Sequence, residues 1–151
     1  MLVANHRSYL DIPLLVAAQP CAFLAKREIT KWPLFGACAR LAGTMFVDRD
    51  SSESRENARL ELRHRATLGQ TVALFPEGTT VAGPALATLH KGAFHIASDA
   101  AVTVAPIAIV YGVRSAAYVL GDSFLPHFLK LFRRRRVVAQ QALPLELGPQ
   151  R

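Results

Sequence analysis

The chain of 151 residues is 51% apolar and 19% charged, a balance that fits one globular domain with a buried core, spanning 1–151, and excludes a disordered chain. Its longest uncharged segments, residues 12–25 and 100–113, contain proline and fall short of the roughly 18 residues that span a bilayer, so they read as core elements. A net charge of +7 and a pI near 10.1 imply an anionic partner (nucleic acid, an anionic membrane surface or a phosphorylated substrate), and no nucleic-acid module signature accompanies the charge.

In chain order, an apolar strand ending near Ala4 comes first, with no basic region or cleavage site of a signal peptide. It runs into Asn5, His6, Arg7, Ser8, Tyr9, Leu10 and Asp11. Histidine is the side chain that takes and returns a proton near neutrality, and a carboxylate beside it fixes its tautomer, so His6 and Asp11 read as a base with its orienting partner. Residues five apart on one α-helix lie about 140° apart, so the pair meets only across a bend. Two helix starts supply that bend. Ser8 and Asp11 form a capping-box pattern, and Asp11 can instead be the N-cap, which puts Pro13 in the tolerated first turn.

A helix through residues 13–18 and a short strand over 21–25 follow, then a brief helical turn over 27–32 and a helix opened by Pro33 that ends near Gly43. The next strand, 43–47, delivers Asp48, Arg49 and Asp50 at its carboxyl end. Residues 51–68 are a polar helix with N-terminal caps and Gly69 as its stop. A third internal strand, 71–75, delivers Pro76, Glu77, Gly78, Thr79 and Thr80. After a Gly- and Pro-containing loop come a helix over 91–101 and an apolar strand over 102–110. The remainder reads as a strand over 112–120, an amphipathic piece over 124–132, the run Arg133 to Arg136, and a final strand over 137–142.

Strands alternating with helices predict an α/β fold, a mostly parallel central sheet flanked by helices. Ligands in such sheets collect beyond the carboxyl ends of the strands, which places His6, Asp48, Arg49, Glu77 and Gly78 along one crevice. Cys21 and Cys38 lack metal-ligand or C-x-x-C spacing and read as reduced core cysteines of a cytosolic chain. His64, His90, His95 and His127 form no metal-ligand pattern, so no metal is expected.

Four blocks in order carry a family resemblance: Asn5-His6-x-x-x-x-Asp11; Gly43-Thr44-Met45-Phe46-Val47-Asp48-Arg49; Phe75-Pro76-Glu77-Gly78-Thr79-Thr80; and Val104-Ala105-Pro106-Ile107-Ala108. With Lys91-Gly92 between the last two, the sequence resembles the glycerolipid acyltransferases typified by bacterial 1-acyl-glycerol-3-phosphate acyltransferases. The resemblance implies a glycerol-3-phosphate acyltransferase-like fold and transfer of an acyl group from acyl-CoA or acyl carrier protein, as co-substrate and without a further cofactor, to a lysophospholipid hydroxyl. His6 and Asp11 would be catalytic. Arg49 would fork onto the acceptor's phosphate; Glu77 would orient Arg49 or bind an acceptor hydroxyl, and Gly78 would leave room for close backbone approach. Thr79 and Thr80 would donate to phosphate or cap a turn, and Lys91 would add charge. Lysophosphatidate leads as acceptor, with glycerol-3-phosphate and lyso-ornithine-type lipids behind it.

A lipid acceptor implies work at the cytoplasmic face of a membrane, held peripherally by the apolar residues of 124–132 beside the arginine run. Relative to the family pattern the chain looks short at both ends, starting only four residues before Asn5 without the usual helical segment. The rival readings are a non-enzymatic basic membrane-binding module, an inactive remnant of an acyltransferase, and a nucleic-acid binder.

Overall fold

A computed structural model describes residues 1–32, 35–81, 83, 85–99, 101–118, 123–134 and 138–142. Three short apolar strands, β1 (Leu2–Ala4), β3 (Met45–Val47) and β4 (Val72–Leu74), join β2 (Ala22–Lys26) and β5 (Ala105–Tyr111) in one sheet. Its order is β3-β2-β4-β1-β5-β6; every pairing is parallel except that of β5 with β6 (Ala139–Ala142). β1 and β4 are buried at all three positions, as expected of parallel strands covered on both faces.

Alternation along each strand divides the core in two. Leu2 and Ala4 of β1, Ala73 of β4 and Ile107 and Ile109 of β5 pack with Phe23 and with Leu15 of α1 (Asp11–Ala18). Val72 and Leu74 point the other way, onto Met45, Leu62 of α3 (Ser52–Thr67) and Ile96 of α4 (Gly92–Asp99). Leu15 and Leu62 are each 1% exposed, and truncating either to alanine would cost about 2–5 kcal/mol.

Local chemistry sets the helix ends. The Ser51 hydroxyl accepts the Ser54 N–H at 3.1 Å at the start of α3, and Gly69, at φ +75°, closes it with Gln70 N–H donating to Arg65 O. α4 ends the same way on Ala101, at φ +50°, with Val102 N–H donating to Ala97 O. Because that cap consumes Val102, β5 begins at Ala105 and not at 102 as the apolar run suggested.

Three further expectations are corrected. The strand over 112–120 is absent among its described residues: β6 takes the edge beside β5, and the chain turns through a short 3₁₀ segment, Arg114–Ala116, so that Tyr118 N–H reaches Arg7 O at 2.9 Å. Helix α2 is Phe35–Leu41, but Leu41 and Cys38 are exposed; Cys38 is therefore not a core cysteine, and Cys21 is half-buried. The final strand starts at Ala139. Pro33, Arg135, Arg136 and Val137 lie outside the described residues. The amphipathic piece is helix α5 (Phe124–Phe132), with Leu125 and Leu129 exposed one turn apart and Lys130, Arg133 and Arg134 exposed nearby. Among the described residues no helix is long and apolar enough to cross a membrane.

Candidate active site

β1 stops at Ala4, and the side chain of Asn5 carries its pairing one step further: Oδ1 accepts Ile109 N–H at 2.6 Å and Nδ2 donates to Ile109 O at 2.9 Å. His6 follows as the chain leaves the sheet. The helix runs from Asp11 with Leu10 as its N-cap, so neither Ser8 nor Asp11 takes the cap position expected of them, and Pro13 falls in the tolerated first turn. Ser8 still contributes half of a capping box, since its N–H donates to Asp11 Oδ2 at 2.9 Å.

The bend brings His6 Nδ1 to 2.8 Å from Asp11 Oδ2. Asp11 is fully buried, and the same oxygen accepts the N–H of Arg7 at 2.6 Å, while Oδ1 accepts the Tyr111 hydroxyl at 2.6 Å. Four donors on one carboxylate hold its orientation firmly. The imidazole is stacked on Phe75 at 4.1 Å between centroids and 15° between planes. Its backbone is held on both sides, His6 N–H donating to Glu77 Oε2 at 2.6 Å and His6 O accepting Val81 N–H at 3.0 Å. The side chain remains 19% exposed, and among the described residues Nε2 makes no hydrogen bond. Such a ring has one nitrogen committed and the other without a hydrogen bond among the described residues, an arrangement in which an imidazole can accept a proton.

The Glu77 carboxylate meets His6, Ala87 and Arg7. Its side chain is wholly buried, accepts Ala87 N–H at 3.0 Å as well as His6 N–H, and lies 3.8 Å from the Arg7 guanidinium. Arg7 in turn donates to Val81 O at 3.1 Å and Ala85 O at 3.0 Å, fastening the loop after β4. A carboxylate with those partners is buried because the loop's amides and a guanidinium replace water around it.

Gly78 adopts φ +67°, and a Cβ there would lie 3.2 Å from His90 Cδ2 and 3.6 Å from Arg49 Nη1. The side chain of Arg49 also reaches this turn, its Nη1 donating to Gly78 O at 2.7 Å. Arg49 and His6 are therefore joined through the adjacent residues Gly78 and Glu77. Thr79 and Lys91 are exposed, the Lys91 carbonyl accepting the N–H groups of Phe94 and His95 in the first turn of α4.

Burial, and next to it the charges of Asp11 and Tyr9, push the Tyr111 phenol far above its ordinary pKa, so it remains a donor. Tyr9 is pushed up to about 12 by burial and by Tyr118; its hydroxyl meets His127 Nδ1 at 3.1 Å. Among the described residues no group of three or more His, Cys, Asp and Glu side chains is arranged to hold a metal ion. Sequence reasoning gave no role to Asn5, Arg7 or Tyr111. The available signal for Tyr111 was a hydroxyl ending an otherwise apolar strand, and for Arg7 a charge inside the first motif.

A model of the Acyltransferase family matches residues 1–110. The chain belongs to that acyltransferase family. It is 45% identical to the lyso-ornithine lipid O-acyltransferase of Pseudomonas aeruginosa, covering 89% of this chain and 54% of that protein. It is 33% identical to the 1-acyl-sn-glycerol-3-phosphate acyltransferase of Neisseria gonorrhoeae, covering 97% and 57%. The crystal structure of the 1-acyl-sn-glycerophosphate acyltransferase of Thermotoga maritima superposes with a TM-score of 0.60 at 32% identity, covering 72% of this chain and 43% of that one. The chain thus spans about half the length of the curated relatives it matches.

Proposed function

We propose that this protein moves a fatty acyl group from a thioester donor, acyl-CoA or acyl carrier protein, to the free hydroxyl of a lysolipid. The observation that carries the reading is the His6–Asp11 contact at 2.8 Å, with Nε2 unbonded among the described residues. Nε2 takes the hydroxyl proton as the oxygen attacks the thioester carbonyl, and Asp11 stabilises the resulting imidazolium through Nδ1–H. The tetrahedral intermediate collapses by expelling the thiolate, which receives the proton from His6. No protein nucleophile is needed, because the thioester is already activated.

The acceptor we propose is 1-acyl-glycerol-3-phosphate. Arg49 has one guanidinium nitrogen on Gly78 O, which fixes the fork while its other N–H groups can meet phosphate, and Thr79 and Lys91 are exposed in the neighbouring stretches of chain. A second acceptor, a lyso-ornithine lipid, is favoured by the 45% identity to an enzyme of that name. The enzyme would work peripherally at a membrane surface, with the exposed Leu125 and Leu129 of α5 beside Lys130, Arg133 and Arg134 as its contact, each basic residue adding about 1 kcal/mol on an anionic interface.

The test is thiol release from acyl-CoA by the purified protein, with and without lysophosphatidate or lyso-ornithine lipid in vesicles. Acceptor-dependent release supports acyl transfer, and the acceptor with the higher kcat/KM fixes the head group. Vesicle binding with no acceptor-dependent release from either acyl-CoA or acyl carrier protein supports the binding-module or inactive-remnant reading.

A further inference from the structure

β5 ends on Tyr111, the one hydroxyl in a strand otherwise built from Ala, Pro, Ile and Val. Its Oη donates to Asp11 Oδ1 at 2.6 Å, while His6 Nδ1 and the N–H groups of Arg7 and Ser8 converge on Oδ2. The cavity beside it, lined also by Leu10, Pro13, Leu14 and Ala139, offers among the described residues no other side-chain donor that can replace this hydroxyl.

We propose that Tyr111 is a positioning residue that sets the strength of Asp11 as the partner of His6, and with it the pH at which His6 becomes a free base. This inference rests on the acyl-transfer reading of the His6–Asp11 pair. A carboxylate that takes a phenolic proton on one oxygen has part of its charge drawn away from the other, so it stabilises an imidazolium less than a carboxylate with a bare oxygen does. The phenol stays protonated, since burial and the charge of Asp11 both oppose its ionisation. Tyr111 therefore donates to Asp11 throughout the working range.

Removing the hydroxyl has a definite sign. In Tyr111→Phe, Asp11 Oδ1 loses its donor inside a buried site, the carboxylate concentrates its charge on His6, and the imidazole titrates at higher pH. The other groups around the pair are unchanged by that substitution: Glu77 on the His6 N–H, Arg7 beside Glu77, Phe75 stacked on the ring, and Tyr9 near Tyr111. A shift therefore reports the Tyr111–Asp11 bond.

The test pairs two readouts on the full chain. One is the pH profile of kcat/KM for acyl transfer from acyl-CoA to the lysolipid acceptor that turns over. The other is the titration of the His6 imidazole by NMR with labelled histidine, which needs no turnover. In Tyr111→Phe both the acidic limb and the His6 titration should move up by about one pH unit, a tenfold loss of free base below the limb that is recovered at higher pH. Replacing Tyr111 with 3-fluorotyrosine, a stronger donor of the same size, should move both down, and it serves if the phenylalanine variant does not fold. His6 titrations that stay in place in both variants, or move the opposite way, overturn the inference. If His6→Ala abolishes transfer while the Tyr111 variants leave the limb in place, only this inference fails. If His6→Ala retains turnover, the acyl-transfer role of the pair fails, and the NMR titration still decides the role of Tyr111.

Discussion

The backbone N–H of His6 donates to Glu77 Oε2 at 2.6 Å, so the residue that leaves β1 is fixed by a carboxylate on the loop after β4. The same carboxylate carries Ala87 N–H and faces Arg7. Glu77→Ala strands a buried guanidinium and two amides, and removing one partner of a buried charged pair costs about 3–5 kcal/mol. In urea denaturation its midpoint should fall well below wild type, with Glu77→Gln in between because it keeps one acceptor oxygen. At low denaturant the folded Gln variant should lose kcat with little change in acceptor KM. A selective rise in acceptor KM would mean that Glu77 touches substrate after all.

Gly78→Ala tests the neighbouring backbone. At φ +67° an L-residue pays for a crowded conformation, about 1–2 kcal/mol, and its Cβ would press on the His90 ring at 3.2 Å. A shift of the turn to relieve that contact would move the Gly78 carbonyl that holds Arg49 Nη1, so acceptor KM should rise together with the loss in urea midpoint. Wild-type stability and wild-type KM in this variant would contradict the role assigned to the turn.

Arg49→Ala should raise the KM of a phosphate-bearing acceptor about 10- to 100-fold, the range for losing charge-assisted hydrogen bonds, while leaving the thioester's KM nearly unchanged. Arg49→Lys should recover little, because an ammonium cannot hold Gly78 O and fork onto phosphate at once. Equal effects on both substrates would count against phosphate binding.

The two cysteines should react in order of exposure. Burial penalises the Cys21 thiolate and pushes its pKa up to about 11, so at pH 8.5 the thiol is mostly protonated, whereas Cys38 is exposed. Timed iodoacetamide labelling followed by peptide mapping should find Cys38 alkylated first, with Cys21 following only as the pH rises. Equal rates at pH 8.5 would show that Cys21 is not shielded.

Much of this site was readable before any coordinates. The bend between His6 and Asp11 followed from a spacing that no single helix face accommodates, and the loops carrying Arg49 and Gly78 each ended a recognisable strand. The roles of Asn5, Arg7, Glu77 and Tyr111 were not readable, because each depends on which strands lie side by side. Asn5 and Tyr111 act across the β1–β5 register, and Glu77 acts because β4 sits next to β1. The stretch after Tyr111 misled for a related reason. Its apolar residues suit a strand, but the edge position was taken by 139–142.

Acyl transfer by His6→Ala tests the central claim most directly. With acyl-CoA and a lysolipid acceptor, the variant should still fold, because the Arg7 and Ser8 N–H groups and the Tyr111 hydroxyl continue to hold Asp11, and should lose about 10²–10⁴-fold in kcat. A His6→Ala protein that transfers acyl groups at the wild-type rate would contradict the account.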